Sequence, residues 1–572
     1  MTASHAWAGD GVPWTHGAWS LERRADELAD IRYEGVVVLR SVRAVARDRD
    51  WSTAAMRVDG VTAHGDGFDI AVHTEGCGSS LSGAVTVRAD GRRLEIGWRG
   101  RAESEWLTNR TGLVVLHPPH LAGTALDVVH ADGGREATAF PRAISPHQPV
   151  VDIAALGWVD AGMRVEVAFA GDVFEMEDQR NWTDASYKTY SRPLALPFPY
   201  RVGAGEELAQ SIAVTVAGAP SPAPRRGAHV TLVDAGVFPE ILAGASTAPD
   251  PAPAIPRDRT VLVELDLAAP SWRAALARET GRPLDVRIVL AQDDADVLTA
   301  SSAAALDAAV DALVGCDVRR IAAFSRAVHT SRPAHVDALR AALVRTGSTA
   351  QVLAGARSHF TQLNREQAEL PRAADGVAFA STPLFHAVGT EQLVESVAMQ
   401  RLTAEQAVRI ADGLPVHVGP VTLRPRFNDV ATAPQPAPSR GDLREGYGAA
   451  FTGADDPRQS APELAAWLVA SAAAFAVPGI ASVCFFEEWG PRGLRSADGS
   501  PYPVLAAFDA VAALAGAALA SGASADGLVW AVGGGAVVLA ANLDDRARDV
   551  EVDTPSGRLS GSLPAFGWAR LR

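Results

Sequence analysis

Two acidic residues sit directly behind an apolar run in FFEEW (485–489), the sharpest chemical signal in the chain. Side chains alternate between the faces of a strand, so one of Glu487 and Glu488 turns inward and the other outward. A carboxylate turned into a water-poor cleft is either paired or holds its proton tightly, which is the condition of a general base or acid. Glu487 is therefore the leading catalytic candidate. Other reactive residues also follow short apolar runs. Glu264 and Asp266 close VLVELD, and Gln292, Asp293 and Asp294 follow DVRIVLA. RSHFTQLNRE supplies Arg357, His359, Asn364, Arg365 and Glu366; His386, Arg424, Arg426 and Asn428 come later. His417 lies inside its run, where a core role is the plainer reading.

A second constellation precedes these. FEMEDQRNWTDASYKTYSRPLALPFPY (174–200) gathers Glu175, Glu177, Asp178, Arg180, Asn181, Asp184 and Lys188 among Trp182, Tyr187 and Tyr190. Lys188 is the only lysine among 52 basic residues. Planar aromatics beside paired donors and acceptors suit a polyhydroxylated ligand, whose buried hydroxyls all need partners. The same residues also suit a loop that ties two domains together by ion pairs.

The elements that carry these residues fall into three blocks. From about Ile31 to Val216, short alternating runs separated by Gly and Asp turns predict an N-terminal β-sandwich, residues 1–220. A Pro-rich linker spans 217–228. Apolar strands then alternate with helices in a run long enough to predict a TIM (β/α)8-type barrel, residues 228–518. Seven of its strands are recognisable, and the eighth is expected between 440 and 456. Alternation returns in a small C-terminal β-domain, residues 519–572. Barrels carry their reactive groups at the carboxyl ends of the strands, which is where the acidic candidates lie.

A net charge of -15 disfavours a nucleic-acid partner or an anionic membrane surface. Three scattered cysteines predict no disulfide framework. No basic n-region leads into an apolar run, and no stretch approaches the roughly 20 apolar residues of a span, so a cytoplasmic location is expected. His359, His386 and His417 lack the spacing of paired metal ligands, so neither a metal nor a cofactor is expected. No G-x-S-x-G elbow suggests a serine nucleophile.

EMEDQRNWTDASYKTYSRPLALPFPY, HFTQLNRE, DDPRQS (455–460) and SVCFFEEWGPRGL together resemble the D-apionate lactonases across essentially the whole chain. The chain departs from that family's pattern at Val388–Gly389 and at Glu488–Trp489. The resemblance implies an N-terminal β-domain, a TIM barrel and a C-terminal β-domain. It also implies hydrolysis of a small sugar lactone, D-apionolactone, to D-apionate in apiose breakdown. On that reading Glu487 acts as base or acid, with His359 or Asn364 and Arg180 or Lys188 near the carbonyl. Asp178, Asn181, Glu264 and Asp266 bind hydroxyls. One alternative is a retaining glycosidase using Glu366 and Glu487, whose carboxyls would stand about 5–5.5 Å apart. Another is a catalytically inert sugar-acid binding protein.

Overall fold

The computed structural model describes residues 7, 9, 11–221, 228–291 and 297–571. The candidates Gln292, Asp293 and Asp294 lie outside the described residues. The N-terminal strands form one 16-stranded antiparallel sheet. Strict alternation drives it: Arg93–Ala102 buries every second side chain. The sheet folds over on itself, because Trp14 of the first strand meets Phe68 of a distant one with ring centroids 5.5 Å apart. Trp98, Trp158, Phe140 and Phe174 fill the interior between the two layers.

After the linker, His229–Thr231 and Val233–Val237 pair with the C-terminal strands Arg548–Thr554 and Ala518–Ala523. The barrel follows as eight parallel strands: β1 (Glu240–Gly244), β2 (Val261–Asp266), β3 (Leu284–Leu290), β4 (Val318–Ser325), β5 (Gln351–Gly355), β6 (Gly376–Ser381), β7 (Val416–Val421) and β8 (Ile480–Glu487). They close into a ring. The eighth strand is thus β1 and does not lie in 440–456, which holds loop and the short helix Ala449–Thr452. β1 is five residues long and is followed by a Pro-rich loop where a helix would have announced it. The helix Leu464–Phe475 is apolar and buried on all sides, between the barrel and the C-terminal sheet. Among the described residues no helix is long and apolar enough to cross a membrane.

The sandwich is fastened to the barrel by a dense polar junction. Asp178 and Arg180 are fully buried and joined by two hydrogen bonds of 2.8 and 2.6 Å. Arg180 also donates to the carbonyls of Pro141, Arg142 and Ala143. Asn181 donates to the Ser145 and Asp178 carbonyls and accepts from Asn364 at 2.9 Å. Asn364, on the barrel helix Phe360–Arg365, also donates to the Ile144 carbonyl and accepts from Gln406. Backbone groups of the 141–145 arch, which would otherwise be buried unpaired, are satisfied by side chains of both domains. Replacing Arg180 by Leu strands Asp178 in a water-free site, so we expect a loss of about 3–5 kcal/mol in urea unfolding. Turnover per folded molecule should hold. Unchanged stability with a raised KM would instead put Arg180 on the substrate.

Candidate active site

The barrel mouth is shaped first by a bulge in β8. Leu242 and Gly244 of β1 lie opposite Cys484 and Glu487, so β8 carries one extra residue there. Phe486 takes up the distortion at φ +56°. Its carbonyl comes within 3.0 Å of where a side chain on Gly244 would begin, so a larger residue there would crowd the bulge. The bulge turns Glu487 into the mouth, while Glu488 points away and pairs with Arg282 at 2.6 and 2.9 Å. Neither carboxylate is left to solvent: their side chains are 8% and 12% exposed.

Glu487 is held by short-chain donors. Thr247, in the loop after β1, gives its hydroxyl at 2.7 Å and its backbone N–H at 3.0 Å. Arg492 Nε lies 3.3 Å away, and its Nη2 reaches the same Thr247 hydroxyl at 3.1 Å. On the other flank of β1, alternation along β2 brings Glu264 and Asp266 to the cavity above Leu262. Arg357, after β5, donates to Glu264 at 2.7 Å, and Arg426, after β7, donates at 3.1 Å. Burial alone would raise the Glu264 carboxyl, but the two guanidinium charges and their hydrogen bonds override it and hold it at about 2. Both arginines stack on Phe427, at 4.1 and 5.2 Å from the ring centre.

His329 stands beside this clamp at φ +59°, a conformation that costs a non-glycine residue energy. Its Nδ1 lies 3.2 Å from Arg357 Nη1. A guanidinium only donates, so Nδ1 accepts and the ring is neutral. Burial, with Arg357 next, lowers its pKa to about 3. Together these groups line a cavity of about 370 Å³ with Tyr447. A strap covers it, Phe427–Pro438, pinned by Gln362 on Asp429 (2.7 Å). The sandwich reaches the rim too, where Asp50 accepts from the Thr432 N–H and its carbonyl accepts from Asn428.

Of the residues singled out in the sequence, Glu487, Glu264, Asp266, Arg357, Arg426 and Asn428 meet in this cavity. Asp266 is ion-paired with Arg326. Asp178, Arg180, Asn181 and Asn364 do not line it, because the junction described above takes up their hydrogen-bonding groups. Lys188 is buried on the sandwich side, paired with Glu177 and lying 4.7 Å over the Tyr190 ring. His359 stands just behind the cavity against Trp182 and Phe385, its pKa lowered by burial. Glu366 is held by Arg332 at 3.1 Å and does not line the cavity, so it forms no pair there with Glu487. His386 pairs with Asp184 at 2.7 Å, and His417 sits inside the barrel on Ser482. No group of three or more His, Cys, Asp or Glu among the described residues is arranged to hold a metal. Thr247, His329, Arg326 and Tyr447 carried no periodic signal. The Gly-Tyr-Gly at 446–448 was the nearest to one, since a tyrosine between two turn residues is unusual in a strand.

Two family models, described as the N-terminal domain and the TIM barrel domain of D-apionate lactonase, match residues 3–219 and 243–516. A D-apionate lactonase of Brucella anthropi is 28% identical over 521 residues, spanning 85% of this chain and 83% of that protein. Among solved structures, SrfJ from Salmonella typhimurium aligns with 67% of this chain and 97% of its own at 9% identity and a TM-score of 0.37. A putative aldose 1-epimerase from Escherichia coli K12 aligns with 36% of this chain and 99% of its own at 8% identity and a TM-score of 0.26. The two family matches take in both the sandwich and the barrel that carries the Glu264–Glu487 cavity, and the chain belongs to the D-apionate lactonase family.

Proposed function

We propose that this chain hydrolyses a sugar lactone, D-apionolactone or a close relative, to the open sugar acid, as a step of apiose breakdown. The observation that carries the reading is one cavity that holds a carboxylate, Glu487, on the Thr247 hydroxyl and N–H with Arg492 farther off, together with a guanidinium pair, Arg357 and Arg426. Lactone opening needs both. Glu487 takes a proton from water as the water oxygen attacks the carbonyl carbon, and cationic donors meet the charge that develops on the carbonyl oxygen. Glu264 keeps those donors in place, and Asp266 offers acceptors to substrate hydroxyls. The cavity volume lies within the roughly 300–1,000 Å³ of small-molecule sites.

The glycosidase alternative needs a carboxylic acid that still carries its proton at neutral pH. Glu264, held at about 2, cannot supply one, and Glu366 lies outside the cavity. We expect acid release from aldonolactones in a pH-stat and no nitrophenol from nitrophenyl glycosides. Glycoside cleavage without lactone opening would reverse the assignment. An inert binding protein would leave every lactone intact.

Replacing Glu487 by Gln should lower kcat by about 10²–10⁴-fold while the far-UV spectrum and melting temperature stay close to the parent. Near-normal turnover in that variant would remove Glu487 from the mechanism. The Glu264 clamp makes a prediction of opposite character, about stability. The folded pKa lies below the ordinary 4.5, so the ionised form is stabilised by folding. Its contribution is complete above about pH 4.5 and disappears as the pH falls toward 2. The unfolding free-energy gap between the parent and Glu264→Gln should be flat at neutral pH and shrink on acidification. A gap that widens in acid would contradict the clamp.

A further inference from the structure

We propose that Tyr447 is the proton donor to the departing ring oxygen, a role that rests on reading this cavity as a lactonase site. Tyr447 lies between Gly446 and Gly448, both at positive φ, and lines the cavity with Ala449 and Thr452 of the same segment. Its backbone N–H donates to the Thr247 carbonyl at 3.0 Å. Thr247 is the residue whose N–H and hydroxyl hold Glu487. One anchor therefore sets both the base and the phenol. Arg278 backs the ring at 5.5 Å, lies 5.2 Å from the Trp489 ring and donates to the Ala248 carbonyl.

The Tyr187 and Tyr190 hydroxyls are committed, to the Pro141 carbonyl and to Glu175. The Tyr447 hydroxyl has no hydrogen-bond partner among the described residues, although the side chain is 7% exposed and lines the cavity. A hydroxyl without a protein acceptor, on a ring that lines the cavity, is open to a ligand. Burial raises the phenol pKa, Arg278 opposes the rise, and Glu279, Glu487 and Glu264 add to it. The group therefore keeps its proton in the resting enzyme.

Glu487 removes a proton from water, and the water oxygen bonds to the carbonyl carbon, sending the π electrons to the carbonyl oxygen. As the carbonyl re-forms, the ring C–O bond breaks and its electron pair takes the Tyr447 proton. The departing alkoxide is strongly basic and takes the phenol proton as the C–O bond breaks. Glu487 then returns its proton to the phenolate through a water. One lactone and one water become one hydroxy acid, and both side chains are restored. The competing route has Glu487 deliver the proton to the ring oxygen directly, with Tyr447 a bystander.

Leaving-group basicity separates the two routes. Because the hydroxyl has no protein partner, Tyr447→Phe should fold and melt like the parent. With an aldonolactone as substrate we expect kcat to fall about 10²–10³-fold. With dihydrocoumarin, whose phenolic leaving group needs little protonation, the loss should stay below about threefold. An equal loss on both substrates, or none on either, would overturn the role of Tyr447 while the parent still opens lactones. A parent inactive on both would overturn the lactonase reading itself, and the proposal with it.

Discussion

Two guanidinium groups cannot rest on one phenylalanine ring unless a carboxylate lies between them. Arg357 and Arg426 both stack on Phe427, and Glu264 is the counter-charge that allows it. The arrangement binds distant parts of the barrel. Glu264 ends β2, Arg357 follows β5, and Arg426 follows β7 and opens the strap over the cavity. Arg426 also donates to the Arg357 carbonyl, and the Arg357 N–H donates to the His329 carbonyl. Removing the carboxylate would leave two like charges facing each other in a half-dry site, which is why its ionised form is held so firmly.

The consequence is a division of labour among acids of the same type. Glu264 is structurally committed, and its fixed charge makes it a poor proton carrier. Glu488 is equally committed, to Arg282. Glu487 is different in kind. Its nearest donors are the Thr247 hydroxyl and N–H, with Arg492 farther off at 3.3 Å and itself shared with Asp455. Its oxygens are therefore oriented by a single loop residue and not clamped by a bidentate guanidinium. The bulge at Phe486 is what separates the two adjacent glutamates into these two fates.

Much of this was legible in the chain, and the reasons are specific. Their positions at the carboxyl ends of apolar strands marked Glu264, Asp266 and Glu487, and the structure puts all three in the cavity. β1 carries no strand–helix rhythm, because its five residues are followed by a Pro-rich loop, and Thr247, which holds Glu487, is hidden with it. The 174–200 segment was correctly marked as dense in polar groups. Composition could not say where those groups point. Arg180 spends its donors on Asp178 and on the 141–143 carbonyls, a partner set supplied by backbone far away in sequence. His329 and Tyr447 lie in loops, where position is set by tertiary contacts and no periodicity reports it.

The junction also explains why a barrel enzyme would carry so large a sandwich. Asn181 and Asn364 join the sandwich to the helix that follows β5, the same segment that begins with Arg357 and His359. Thr361 bonds the Asn181 carbonyl, and Gln362 pins Asp429 in the strap. From the other side, Asp50 of the sandwich fastens the strap at Thr432 and Asn428. The strap is therefore tied to the sandwich both directly and through this helix. A loop of proline and small residues has little cohesion of its own, and these ties hold it over the cavity. The sandwich thus shapes the mouth by fixing its cover, without lining the pocket with the polar cluster that the sequence displays most openly.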